Sequence, residues 1–305
     1  MRSRTALFGV TDLLLLGTVC LWAVNFIVIK NVISGTLEPI AFTALRFVVA
    51  SLVLLPLLRV LTPAERAVHG ADRWQFVGLG LIGNTLYQIF FITALANTLP
   101  TNAALILATP PIFIALMGAL FKLERLTWLA WLGIFLSFGG ITLVILGGAS
   151  TESSSSAANP LLGDLMALGA AIMWATYTLL AAPVLKRHPP IKLTALTVAA
   201  GTVPLFLIAA PSFLITDWPT VGLNVWLGVL YCGALAIALG YVMWNRAVQH
   251  VGAARTAVYS NLTPVLVALI AWLVRGDPLT VYHVAGAVII LTGITLTRLG
   301  RRTAG

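Results

Sequence analysis

The stretch TDLLLLGTVCLWAVN over 11–25 returns as GDLMALGAAIMWATY over 163–177, and this repetition limits what the chain can become more than any other feature. Asp12-Leu13 answers Asp164-Leu165, Gly17 answers Gly169 and Trp22 answers Trp174, all at one offset. Downstream, Pro39 and Thr43-Ala44-Leu45 answer Pro190 and Thr194-Ala195-Leu196, and Thr109-Pro110 answers Thr263-Pro264. Glu124 with Leu126-Thr127 and Gly140-Ile141-Thr142-Leu143 find counterparts in Asp277 with Leu279-Thr280 and Gly293-Ile294-Thr295-Leu296. A unit of about half the chain is therefore duplicated. Residues 1–147 read as the first repeat, 148–160 as a small, polar, flexible linker and 161–305 as the second repeat.

The unit is a membrane unit. Hydrophobic residues make up 60% of the chain and charged residues 9%, against about 25% charged in a soluble domain. The net charge of +9 does not indicate nucleic acid, because the cations stand singly at the ends of apolar segments instead of clustering on a soluble face. Cys20 and Cys232 each lie in an apolar run without a second ligand nearby, so no metal, cofactor or disulfide framework is expected. The start, MRSRTALFGV, runs too soon into a full span to be a cleaved signal and reads as a cytoplasmic stub.

Ten segments reach the roughly 20 apolar residues a spanning helix needs: 11–30, 38–59, 74–95, 101–121, 127–147, 161–183, 191–211, 223–246, 255–274 and 280–299. Cytoplasmic loops retain positive charge, and Arg2, Arg4, Arg59, Arg66, Arg73, Lys122, Arg125, Lys186, Arg187, Lys192, Arg246, Arg255, Arg298, Arg301 and Arg302 fall on one side. Lys30 and Arg275 fall on the other, so both termini are expected in the cytoplasm of a cell (inner or plasma) membrane protein. Five spans per repeat is an odd number, so the second copy enters the membrane upside down. The expected fold is an all-α polytopic membrane protein of ten transmembrane helices, built as two inverted five-helix repeats. Such repeats commonly hold a substrate site near the midplane and rock about it. Pro56, Pro110, Pro111, Pro204 and Pro264 fall inside spans, where each bends a helix and frees carbonyls. The matched pair Pro110 and Pro264 serves either as packing kinks or as hinges.

The twofold Asp-Leu…Trp start, the span bearing Arg46 and the Pro-bearing fourth and ninth spans resemble the drug/metabolite transporter superfamily along essentially the whole chain. The resemblance is to its EamA-type exporters and, among them, to YddG-like amino-acid exporters. It implies ten helices with cytoplasmic termini, and an Arg that recurs at this place in the second helix. Small multidrug relatives carry a Glu in the first helix, which is absent here.

Polar and aromatic residues inside the spans are the candidate substrate site. Asn84, Tyr87 and Gln88 stand at i, i+3 and i+4, on one face of an ideal helix. Trp22 with Asn25, and Trp174 with Tyr177, repeat the i, i+3 arrangement too deep for an interfacial belt. Tyr259 and Asn261, with Thr256, Ser260 and Thr263, lie just before Pro264. Trp244 and Asn245 fall near the end of the eighth span and suit a belt or a gate better than the central site. Arg46 lies about 12 Å along its helix from Glu38, deep enough to be costly, either clamping freed carbonyls or meeting a substrate carboxylate. The second copy carries Thr197 there. For each group, ordinary interhelical packing or hydrogen bonding is the alternative.

The acidic residues and the four histidines fall at span ends or in loops, so a mid-membrane proton relay lacks its titratable group. Gly133, Gly139, Gly140, Gly286 and Gly293 make small faces suited to close packing, favoured over a dimer interface, hence a monomer. The expected function is export or facilitated movement of small neutral or zwitterionic metabolites, amino acids foremost, across the lipid bilayer. A proton-coupled drug exporter is the alternative. An intramembrane enzyme would need a metal motif or a paired nucleophile, which the sequence lacks, and a scaffold would not require duplicated halves.

Overall fold

The computed structural model describes residues 10–33, 35, 37–68, 70–121, 124–151, 159–252, 256, 259–277, 279–299 and 301–303. Arg2, Arg4, Lys122, Arg255, most of the 148–160 linker and both chain ends lie outside the described residues, as do the side chains of Arg125, Arg298, Arg301 and Arg302. Helical stretches follow in order: α1 (Val10–Ile33), α2 (Pro39–Leu57), α3 (Asp72–Asn97), α4 (Pro100–Leu120), α5 (Trp128–Thr151), α6 (Pro160–Leu185), α7 (Pro190–Ile215), α8 (Leu223–Val251), α9 (Thr263–Arg275) and α10 (Val281–Leu299). Among the described residues seven of these, α1 to α4 and α6 to α8, are long and apolar enough to cross a membrane. The apolar parts of α5, α9 and α10 are shorter. The departure from helix is a small antiparallel ladder in which β1 (Glu124–Leu126) pairs with β2 (Arg301–Thr303).

Proline sets where helices begin. It stands in the first turn of α2, α4, α6, α7 and α9, where the missing N–H is one the helix leaves unpaired anyway. This corrects the expectation for Pro110 and Pro264. α4 is broken over 107–109 and restarts at Pro110, and α9 starts at Thr263 after a turn at 261–262. Neither proline bends a continuous helix. Pro56 and Pro204 do lie inside theirs.

The two halves also match in their irregularities. The third stretch of each carries a π-helical segment, Leu81–Leu86 in α3 and Tyr231–Leu239 in α8. The fourth stretch of each restarts at Thr-Pro. The packing is symmetric under exchange of the halves: α1 packs on α8 and α9 as α6 packs on α3 and α4, while α2 pairs with α7 and α5 with α10. Every one of these contacts joins different copies.

The α5–α10 contact is made by glycine. A Cβ on Gly133 would overlap the Gly293 carbonyl oxygen and the Thr297 amide nitrogen, and one on Gly293 would overlap Ser137. Gly140 and Gly286 face Ile290 and Val144 across the same seam, whereas Gly139 meets nothing. Backbones that close have no side chain to move aside. Gly293→Val is expected to destabilise the protein by about 1–3 kcal/mol or more, read as a lowered melting temperature in detergent. A melting curve like the wild type's would contradict this packing.

Polar clusters tie the helix ends. Arg187 Nη1 and His188 Nε2 meet the two oxygens of Asp72 at 2.9 and 3.0 Å, and Lys192 Nζ donates to the Ala67 carbonyl at 2.6 Å. Burial and the adjacent Lys192 lower the His188 pKa against the pull of Asp72. A neutral imidazole protonated on Nε2 satisfies both neighbours, because it donates to Asp72 and accepts from Lys192 at Nδ1, 3.2 Å away. The two cations that depart from the charge rule are also engaged. Lys30 Nζ caps α3 by donating to the carbonyls of Leu95 and Thr98 at 2.6 and 3.0 Å, and Arg275 bonds Asp277 and Asn31. Next to Lys30, Thr98 donates to the fully buried Asp164 at 2.8 Å, and His283 reaches Asn102 at 2.7 Å. Asp12, the counterpart of Asp164, accepts from Tyr259.

Candidate functional site

Inside the bundle a narrow cavity of about 70 Å³ is lined by α1, α2, α3, α4, α6 and α8 together with the segment entering α9. Its walls come from both halves. Of the residues picked from sequence, Trp22, Asn25, Arg46, Tyr87, Gln88, Trp174 and Pro110 line it. Asn84, Tyr177, Tyr259, Asn261 and Pro264 do not. Phe26, Phe91, Thr178, Tyr241, Trp244, Ser260 and Thr263 complete the polar and aromatic lining.

The aromatic side is one connected cluster. The Trp22 ring centre lies 5.8 Å from Trp174, 6.0 Å from Tyr241 and 5.1 Å from Trp244. Trp174 in turn lies 5.1 Å from Tyr87 and 5.3 Å from both Tyr177 and Tyr241. Trp22 is fixed by its indole N–H, which donates to the Ala236 carbonyl at 3.0 Å. Ala236 belongs to the π-helical segment of α8, whose wider turn leaves carbonyls open to such donors. Gly240 admits the ring: a Cβ there would stand 2.9 Å from Trp22 Nε1.

The polar side is built on Arg46, 1% exposed. Its Nη2 donates to Gln88 Oε1 at 2.5 Å, and Gln88 Nε2 donates to the Tyr241 hydroxyl at 3.1 Å. The guanidinium stands 5.6 Å from the Phe42 ring centre and 5.7 Å from that of Phe91, within cation–π range. Its Nε has no partner among the described residues, and the side-chain bond described for it goes to Gln88, not to a backbone carbonyl. No described acidic residue lines the cavity. Two further buried lining groups, Asn25 Oδ1 and the Trp244 indole N–H, also lack partners among the described residues, and so does the Thr263 hydroxyl.

Of the residues left outside the cavity, Tyr177 and Tyr259 are bonded elsewhere. The Tyr177 hydroxyl accepts from Asn245 at 3.2 Å, and its ring covers Gly83, where a Cβ would overlap it. Asn84 packs against Gly201 of α7 with its amide unpartnered among the described residues. Tyr259 is bonded to Asp12.

A helical bundle of two like halves, with apolar stretches long enough to span a bilayer and an enclosed polar-aromatic cavity between the halves, defines an integral membrane protein of the solute-transporter class. The EamA-like transporter family matches this chain twice, at residues 9–146 and 161–299. The chain belongs to that family. It is 28% identical over 260 residues to the uncharacterized transporter YyaM of Bacillus subtilis, covering 85% of this chain and 84% of that protein. It is 25% identical over 226 residues, 74% of this chain and 72% of the relative, to a protein of Streptantibioticus cattleyicolor named probable terminal-alkyne amino-acid exporter. A crystal structure 23% identical in sequence superposes with a TM-score of 0.65, covering 95% of this chain and 97% of the other.

Proposed function

We propose that the protein moves small neutral or zwitterionic metabolites, amino acids with aromatic or bulky apolar side chains foremost, out of the cell by alternating access. The observation that carries this reading is the cavity between the halves, where aromatic rings adjoin unpartnered hydrogen-bonding groups. Rings suit an apolar side chain, and fixed polar groups orient its head. The amino-acid exporter among its relatives supports the same class. In this proposal ten helices span the membrane as two inverted repeats, 1–147 and 161–305, joined outside the cell by 148–160. Both termini lie in the cytoplasm, and the unit works as a monomer.

The cavity, about 70 Å³, is small beside the roughly 300 Å³ or more of an ordinary ligand pocket. A bulky solute enters only if the lining rings separate, which rocking of the halves about the site accomplishes. The α4 restart at Pro110 and the turn before Pro264 are the hinge positions in this scheme, because a helix broken there swings without losing interior hydrogen bonds.

The test is counterflow in proteoliposomes. Vesicles loaded with millimolar unlabelled phenylalanine, leucine or tryptophan are diluted into the labelled form. Transient uptake at least several-fold above empty vesicles is expected for the aromatic and branched members. Uptake equal to that of protein-free vesicles across the whole amino-acid panel would refute the reading.

A further inference from the structure

We infer that the site reads the carboxylate of its substrate through Arg46 and does not require the amino group. This deepens the proposed function and rests on the cavity being the solute site. A guanidinium stays charged at every working pH, and in a place this buried its charge needs a partner. Arg46 has a neutral one, Gln88, and no acidic described residue lines the cavity. Its Nε is left with no acceptor among the described residues.

The remaining polar lining adds a further donor. Trp244 Nε1 is a second buried donor without an acceptor among the described residues. Arg46 and Trp244 therefore offer N–H groups to an anion, and a planar carboxylate is the group that a guanidinium fork fits. An ammonium meets the reverse. It finds the neutral oxygens of Asn25 and Thr263, no carboxylate among the described residues, and a fixed positive charge in the same small space. The carboxylate is thus the handle, and the ammonium is tolerated. The substrate class widens from amino acids to carboxylic acids carrying an aromatic or bulky apolar body, while amines of the same body are excluded.

Four probes share one phenyl body: phenylalanine, 3-phenylpropanoate, phenethylamine and phenylalanine methyl ester. Binding to the purified protein is followed by quenching of the tryptophans that line the cavity, and exchange is followed by counterflow. Phenylalanine and 3-phenylpropanoate are expected to agree within a few-fold, with phenethylamine and the ester more than about tenfold weaker, since a site built to bond a polar group rejects analogues lacking it. Arg46→Gln is expected to erase that preference and Arg46→Lys to retain part of it. Phenethylamine binding as well as phenylalanine, or failure of 3-phenylpropanoate while phenylalanine moves, would overturn the inference and leave the proposed function standing. Movement of none of the four would overturn the inference, and failure of the whole amino-acid panel as well would overturn both. The wild-type comparison decides the matter even where a variant fails to fold.

Discussion

Trp174→Ala is expected to lose about 3–5 kcal/mol of stability, the range for truncating a large buried aromatic ring, and to abolish transport with it. Trp174 is 8% exposed and touches the rings of Trp22, Tyr87, Tyr177, Tyr241 and Trp244, so its removal leaves a void shared by α1, α3 and α8. The neighbours cannot all collapse into that void, because Trp22 is held to Ala236 and Tyr177 is held against Gly83. Trp174→Phe keeps a ring in place and should retain most of the stability, while transport falls several-fold. Thermal unfolding in detergent beside counterflow separates the two effects. If the alanine variant melts at the wild-type temperature, the ring cluster is not the packed hub described.

Much of this site is legible in the sequence because membrane helices are monotonous. A Trp, Tyr, Gln or Arg in the middle of an apolar run needs a reason, and Trp22, Asn25, Arg46, Tyr87, Gln88 and Trp174 all prove to line one cavity. Asn84 shows where helical arithmetic fails. It stands three residues before Tyr87 but inside the π-helical segment Leu81–Leu86, where the angle between successive side chains is not that of a regular helix, and it packs against Gly201 instead of lining the cavity.

Trp244 falls near the end of its span when that span is read as 223–246, but α8 continues to Val251, and Trp244 stands with Tyr241 at the Trp22 ring. Phe26, Phe91 and Thr178 carry no signal that separates cavity lining from packed core. The pairing of Tyr259 with Asp12 joins the two copies across 247 positions, a contact that residue spacing does not encode. Hydrophobic length marks most of the helix boundaries. The prolines nevertheless begin helices where bends were expected.

A pH step alone is expected to drive no net accumulation of substrate. Coupling to protons requires a group at the site whose protonation differs between the two facing states. Among the described residues the titratable side chains lining the cavity are Arg46, Tyr87 and Tyr241; a guanidinium stays protonated at working pH, and phenols ordinarily titrate near pH 10. The carboxylates nearest the halves' first helices, Asp12 and Asp164, are committed to Tyr259 and Thr98 at helix ends. With no proton to carry, the halves are expected to equilibrate substrate in either direction, with the cell's own gradient determining export. Proteoliposomes holding equal phenylalanine inside and out, with the membrane voltage clamped, receive a step of two pH units. A one-for-one proton exchanger would sustain about 100-fold accumulation at equilibrium, tenfold for each unit; an uncoupled facilitator holds the ratio at one. A sustained rise would refute facilitation, and its loss in Asp164→Asn or Asp12→Asn would assign the coupling to one of the two repeat-related carboxylates.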